Sequence, residues 1–174
     1  MLINDEIIAQ AHEFIVERLR VFFGLGKGYS YDLANAALSA RGDDPYRASE
    51  TVEQLVELKK TANWNEVLSN FARCVRITRE IKELFPLDVS RDPDASTQAL
   101  YQVYQSTAAR IGPQNSVDEF FTAFMPMVPI ISQFFVDVLV MADDQAVRET
   151  RLALLQRIAM LPQGIVDLSK VEGF

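Results

Sequence analysis

Helical phase places three charged side chains among apolar neighbours, and each demands a chemical reason. At about 100° per residue, Arg18 shares a face with Ile7, Ala11, Phe14, Ile15, Val21 and Phe22, while Arg20 points away from it. Arg151 lies near the middle of the stripe Val147, Leu154, Leu155, Ile158 and Leu161, flanked by Arg148 and Arg157. Asp137 shares its side with Ile130, Phe134 and Met141. A charge buried without a partner is costly, so each of the three needs an ion pair or a solvent-filled groove. One solution pairs Asp137 with Arg151 or Arg18 and pins the helices in register. The other makes an arginine line a groove, its planar fork offered to a phosphate or a base edge. Arg151 is placed to do both.

A second pattern is cationic. Arg73, Arg76, Arg79 and Lys82 recur every three residues and form a stripe that drifts across one helix surface. From Lys59 to Lys82 six basic residues face two acids, Glu66 and Glu80. Such a ridge can follow a phosphate backbone; it is equally the pattern of an ordinary solvated helix face. Tyr29 and Tyr31 stand beside Lys27. They can stack on an unpaired base, or Tyr31 can pack inward with Leu38.

Catalytic chemistry has little to draw on. His12 is the only histidine and lies at a helix edge; Cys74 is the only cysteine and reads as a small helix packer. A zinc site would need several such ligands, so no metal is expected. Gly24-Leu25-Gly26-Lys27-Gly28 follows a helix and lacks phosphate-loop spacing, so it reads as a helix stop. The net charge of −7 argues against whole-surface attraction to nucleic acid, though a local basic face on an acidic body permits docking at one surface. One cysteine suits a reducing compartment. The N-terminus lacks a basic and then apolar leader. The apolar stretch Phe124–Met141 is interrupted by Pro126, Pro129, Ser132, Gln133 and Asp137, so it reads as a buried helix and not a membrane span. The expectation is a soluble cytoplasmic protein.

These residues must be positioned by helices, because no strand-type alternation occurs. The spacing predicts an all-α bundle of about seven to eight helices. They cover about 5–23, 30–40, 45–61, 64–84, 94–110, 117–126, 129–141 and 144–161. Ser30 and Asn63 are candidate caps, Asp44-Pro45 opens a helix with proline at its first position, Ser116-Val117-Asp118-Glu119 is a capping box, and Asp143-Asp144 caps the last helix. Phe120, Phe121, Phe124, Phe134 and Phe135 are candidate core. No linker divides residues 1–174, so a single domain is expected.

The run Phe134–Asp144 followed by Arg148–Ile158 resembles the C-terminal end of the β subunit of bacterial-type glycyl-tRNA synthetase. Glu17-Arg18-Leu19-Arg20, Tyr31–Leu38 and Phe71–Ile77 are similar to earlier parts of the same domain. The resemblance implies an all-helical, DALR-like anticodon-binding domain without catalysis or cofactor of its own. ATP-dependent glycine activation would belong to another part of the ligase. The implied partners are the anticodon arm of glycine tRNA and the remainder of the synthetase. The candidate contacts are Arg73, Arg76, Arg79 and Arg20 to the RNA backbone, and Tyr31, Arg148 and Arg151 to bases. The alternative is a helical protein–protein interaction module without RNA binding.

Overall fold

Side-chain caps set four helix starts in the computed structural model, which describes residues 5–174. Among these residues there are eight α-helices and no strand. They are α1 (Asp5–Val21), α2 (Tyr31–Arg41), α3 (Pro45–Leu58), α4 (Trp64–Thr78), α5 (Ala95–Ala108), α6 (Val117–Phe124), α7 (Met127–Asp137) and α8 (Gln145–Ala159). The carboxylates of Asp44, Asp94 and Asp144 accept from the first-turn amides of α3, α5 and α8. Ser116 and Glu119 form the expected reciprocal box at α6. Ser30 and Asn63 precede their helices without a side-chain cap bond.

Helix ends depart from the sequence reading where tertiary contacts override propensity. After Val21 the chain widens into a π-helical turn, Phe22–Gly26. The fourth helix stops at Thr78, short of the expected Leu84. Beyond it, Gln156 of α8 takes over: its side chain accepts from the Phe85 amide (3.1 Å) and donates to the Glu83 carbonyl (2.7 Å). The seventh helix stops at Asp137, four residues before the expected Met141, because Val138 turns extended and buries with Val140.

The main core lies between α4, α5, α6, α7 and α8. Trp64 stacks flat on Phe121, with ring centres 5.4 Å apart. Phe71 meets Phe120 and Phe124 edge-on. Phe120, Phe121, Phe124 and Phe134 are buried as expected, whereas Phe135 is only half-buried. A smaller cluster joins α1, α2 and α3 through Phe23, Ala34, Ala37, Leu38, Ala48 and Val52. The face of α1 expected in the core is on the surface instead: Phe14, Ile15, Val21 and Phe22 are exposed. The side that packs carries Val16, Leu19 and Phe23. No single helix among the described residues is long and apolar enough to cross a membrane; α6 and α7 pass jointly by composition but are bent by 50°.

Arg41, which phase did not single out, ties both ends of the bundle together. It is 5% exposed. It donates to the carbonyls of Gly164 (3.0 Å), Pro113 (3.3 Å) and Asn115, and to the Thr51 hydroxyl (3.2 Å). Gly164 can lie there because its φ of +75° needs no side chain, and a Cβ would meet Pro113 at 3.1 Å. Removing the guanidinium strands several buried acceptors at once. Arg41→Met is expected to cost about 3 kcal/mol or more in urea unfolding; a loss below about 1 kcal/mol would mean that water satisfies those carbonyls equally well.

Candidate nucleic-acid interface

Helix α4 is amphipathic, and its outer edge carries the cations. Trp64, Val67, Leu68, Phe71 and Cys74 are buried, while Arg73, Arg76 and Arg79 face water. Arg73 lies over the Phe135 ring of α7, 4.2 Å from its centre. Arg76 lies 5.8 Å from the centre of the Phe174 ring. Ring faces attract a guanidinium without neutralising it. Among the described residues neither arginine is ion-paired, so both keep a full, oriented charge at the surface. Arg79, one turn on, pairs with Glu80 at 3.3 Å, and both side chains are exposed.

Tyr31 and Arg20 belong to the neighbourhood of α2, which the C-terminal residues tie to α4. Tyr31 opens α2 and is 69% exposed, so it does not pack inward with the buried Leu38. Asn35, one turn later, accepts from Arg20 Nε at 2.7 Å, and Arg20 also pairs with Glu17. The neighbour of Tyr31, Asp32, accepts from the Glu172 amide at 3.0 Å and sits 3.3 Å from the Lys59 ammonium. Two residues on, the Phe174 ring rests 6.1 Å from Phe71 and under Arg76. A path of contacts thus runs from Arg76 through Phe174 and Glu172 to α2, the helix that Tyr31 opens and that Arg20 meets at Asn35.

Arg148 and Arg151 stand apart from that path. Arg148 donates to the carbonyls of Ala142 (2.6 Å) and Asp143 (3.3 Å), closing the turn before α8. Arg151 is 9% exposed. Its Nε and Nη2 grip the Asp92 carboxylate at 2.6 and 3.2 Å, and its Nη1 donates to the Leu139 carbonyl at 2.9 Å. The expected pairing of Asp137 with Arg151 or Arg18 is therefore absent. Asp137 ends α7 at the surface and accepts from Ser96 (2.5 Å) and Gln133 (2.6 Å). Arg18 is exposed and stacks on Phe14 at 4.9 Å. Asp92 was missed because it lies in a loop, 59 residues from its partner, where helical phase says nothing. Arg79 and Lys82 line a shallow hollow with Val75, Thr78 and Gln156, which Arg20, Arg73, Arg76, Arg148 and Arg151 do not join. A hollow of about 450 Å³ is lined by Phe71, Val75, Met160, Val166, Leu168 and Phe174 among others, and by none of these cations.

The remaining reactive groups are inert or scattered. Burial pushes the Cys74 thiol up to about 12, and the side chain is fully enclosed. Among the described residues no three His, Cys, Asp or Glu side chains gather as a metal site would require.

No family model matches the chain. It is 28% identical over 174 residues, 99% of its length, to "Glycine--tRNA ligase, chloroplastic/mitochondrial 2" of Arabidopsis thaliana. It is 30% identical over 170 residues, 96% of its length, to the "Glycine--tRNA ligase beta subunit" of Moorella thermoacetica. The β subunit of Desulforudis audaxviator is 32% identical over 174 residues, 95% of the chain. The chain spans only 16% of the plant relative and 24% of each bacterial one.

Two outcomes test this geometry. Arg151→Met and Asp92→Asn should each cost about 3–5 kcal/mol in chemical denaturation, and together clearly less than their sum. Strict additivity would dissolve the pair. The Asp32 carboxyl gives a pH signature. Burial would raise it, but hydrogen bonds from Ser30 and the Glu172 and Leu33 amides, with Lys59 nearby, lower it from 3.8 to about 2. A depressed folded value means that its stabilisation is complete above about pH 4 and is lost as pH falls through about 2. The Glu172 amide resonance should titrate near pH 2, and a midpoint near 4 would separate the tail from Asp32.

Proposed function

We propose, from the chain's homology over nearly its whole length to one segment of glycine–tRNA ligase β subunits, that this protein is the ligase module that grips the anticodon arm of glycine tRNA. Activation and transfer of glycine then fall to the rest of the enzyme. The observation that carries this reading is the pair Arg73 and Arg76: exposed, held over rings and uncompensated on a molecule of net charge −7. Cations fixed in this way meet a phosphate backbone without losing much side-chain freedom. Arg79 and Arg20 extend the run. Tyr31 offers an exposed ring to an unstacked base. Arg148 and Arg151 serve indirectly, by fixing the turn and the chain segment that place Phe135 beneath Arg73.

The acidic remainder suits this role. It repels nucleic acid in general and confines attraction to the α4 edge, which favours docking in one orientation. The second reading, a protein-interaction module without RNA binding, draws on the exposed apolar side chains of α1.

Binding of the chain to a glycine-tRNA anticodon arm, followed by fluorescence anisotropy, separates the two. Affinity should fall steeply with salt. Arg73→Glu with Arg76→Glu should weaken binding by about tenfold or more and lower the salt slope by about two. Tyr31→Ala should cost about 1–3 kcal/mol of binding without changing that slope. Absence of salt-sensitive affinity, or footprints outside the anticodon arm, would overturn the assignment.

A further inference from the structure

A surface helix needs one apolar side, and α1 has two. Its inner side, Val16 and Leu19, packs with Phe23 of the π turn into the small cluster with α2 and α3. On the far side Phe14 is 60% exposed, Ile15 47% and Val21 48%, and the π turn adds Phe22 at 50% and Leu25 at 89%. Isolated apolar residues on a surface are ordinary, but a contiguous set on one helix face marks a contact. Three acids also mark one edge of that face. By phase, Glu6, Glu13 and Glu17 line one border, and Arg18 stands in the middle over Phe14. Among the described residues Arg18 has no carboxylate partner.

We propose that this face of α1 is the seat of the remainder of the ligase polypeptide. The occupant presents an apolar ridge, Lys or Arg side chains along the edge that meets Glu6 and Glu13, and an acid opposite Arg18. The inference rests on the reading of the chain as a ligase module. Charge selects this occupant. The acidic border repels RNA and anionic lipid, and a membrane-surface helix carries Lys and Arg on its polar face instead. A second copy fits poorly, because a two-fold contact opposes each patch to itself. Paired antiparallel, the glutamate border meets its own copy; paired parallel, Arg18 meets Arg18. The bacterial β subunits, of which this chain spans about a quarter, supply ample further polypeptide to fill the site.

Photo-crosslinking in the complete ligase tests the site directly. With benzoylphenylalanine in place of Phe14 or Phe22, the expected adducts lie in ligase residues outside the segment homologous to this chain. Adducts to RNA, adducts to a second copy, or no adduct would overturn the proposal. Phe14→Glu with Leu25→Glu provides an independent measure. Both residues are exposed, so the isolated chain should melt unchanged and bind the anticodon arm as before, while glycylation by the complete ligase falls about tenfold or more. Unchanged glycylation would overturn the docking role. Retained arm binding without adducts sinks this inference alone, whereas adducts without arm binding sink only the anticodon reading.

Discussion

The grip of Arg151 on Asp92 and on the Leu139 carbonyl is the contact from which the proposed interface is built. Three donors on one planar group fix two loops at once. The Asp92 end holds the segment that enters α5, where Thr97 also donates to the same carboxylate at 2.8 Å. The Leu139 end holds an extended stretch that turns Val138 and Val140 into the core and ends α7 at Asp137. Phe135 thereby falls in the last turn of α7, where its ring can lie beneath Arg73. Burial alone would raise the Asp92 carboxyl, yet hydrogen bonds from Arg151, Thr97 and the Asp94 amide hold it below the usual carboxylate range. Two of the three donors meet this carboxylate and the third a backbone carbonyl, which fixes the plane of the guanidinium.

Arg41 solves a related problem without an acid. No carboxylate is paired with it among the described residues; carbonyls of Gly164, Pro113 and Asn115 and the Thr51 hydroxyl take its donors. A guanidinium among neutral acceptors loses Coulomb energy relative to an ion pair, but five donors can satisfy several loop carbonyls that no helix reaches. The C-terminal chain is closed onto α2 by the same economy of backbone groups. The Asp167 amide donates to the Ala36 carbonyl at 2.9 Å, and the Glu172 amide donates to Asp32. The tail that carries Phe174 is therefore fixed at two points before it reaches Arg76.

Four helix starts were legible in the sequence because a cap is a local event, although Ser30 and Asn63 make no cap bond. Asp44, Asp94, Ser116 with Glu119, and Asp144 all act within three residues of themselves. Helix ends were less so. Thr78 ends α4 because Gln156, far along the chain, captures the backbone beyond it, and no local pattern announces that. Phase correctly marked Arg151 as a buried charge that needs a partner. It named Asp137 because phase compares helices only, and the actual partner sits in a loop. Phase misjudged α1 for another reason. A helix with apolar residues on both sides offers two candidate faces, and the broader one was assumed to be inside. The narrower one fits against the small alanines of α2 and α3, where Ala34, Ala37 and Ala48 leave room for Phe23.

That misassignment exposes a division within the molecule. The α4 edge is cationic and wet, and the outer face of α1 is apolar and bordered by acids. Arg20 leaves the helix on the side away from Phe14, pairs with Glu17 and donates to Asn35, one turn from Tyr31. On a body of net charge −7 the cations of both surfaces are held by rings: Phe135 and Phe174 beneath Arg73 and Arg76, and Phe14 beneath Arg18. Aromatic rings do this where carboxylates would not, because they orient a cation while leaving its charge in place. The choice of ring over acid at these positions separates the surface arginines from Arg151, whose charge is spent on holding the fold.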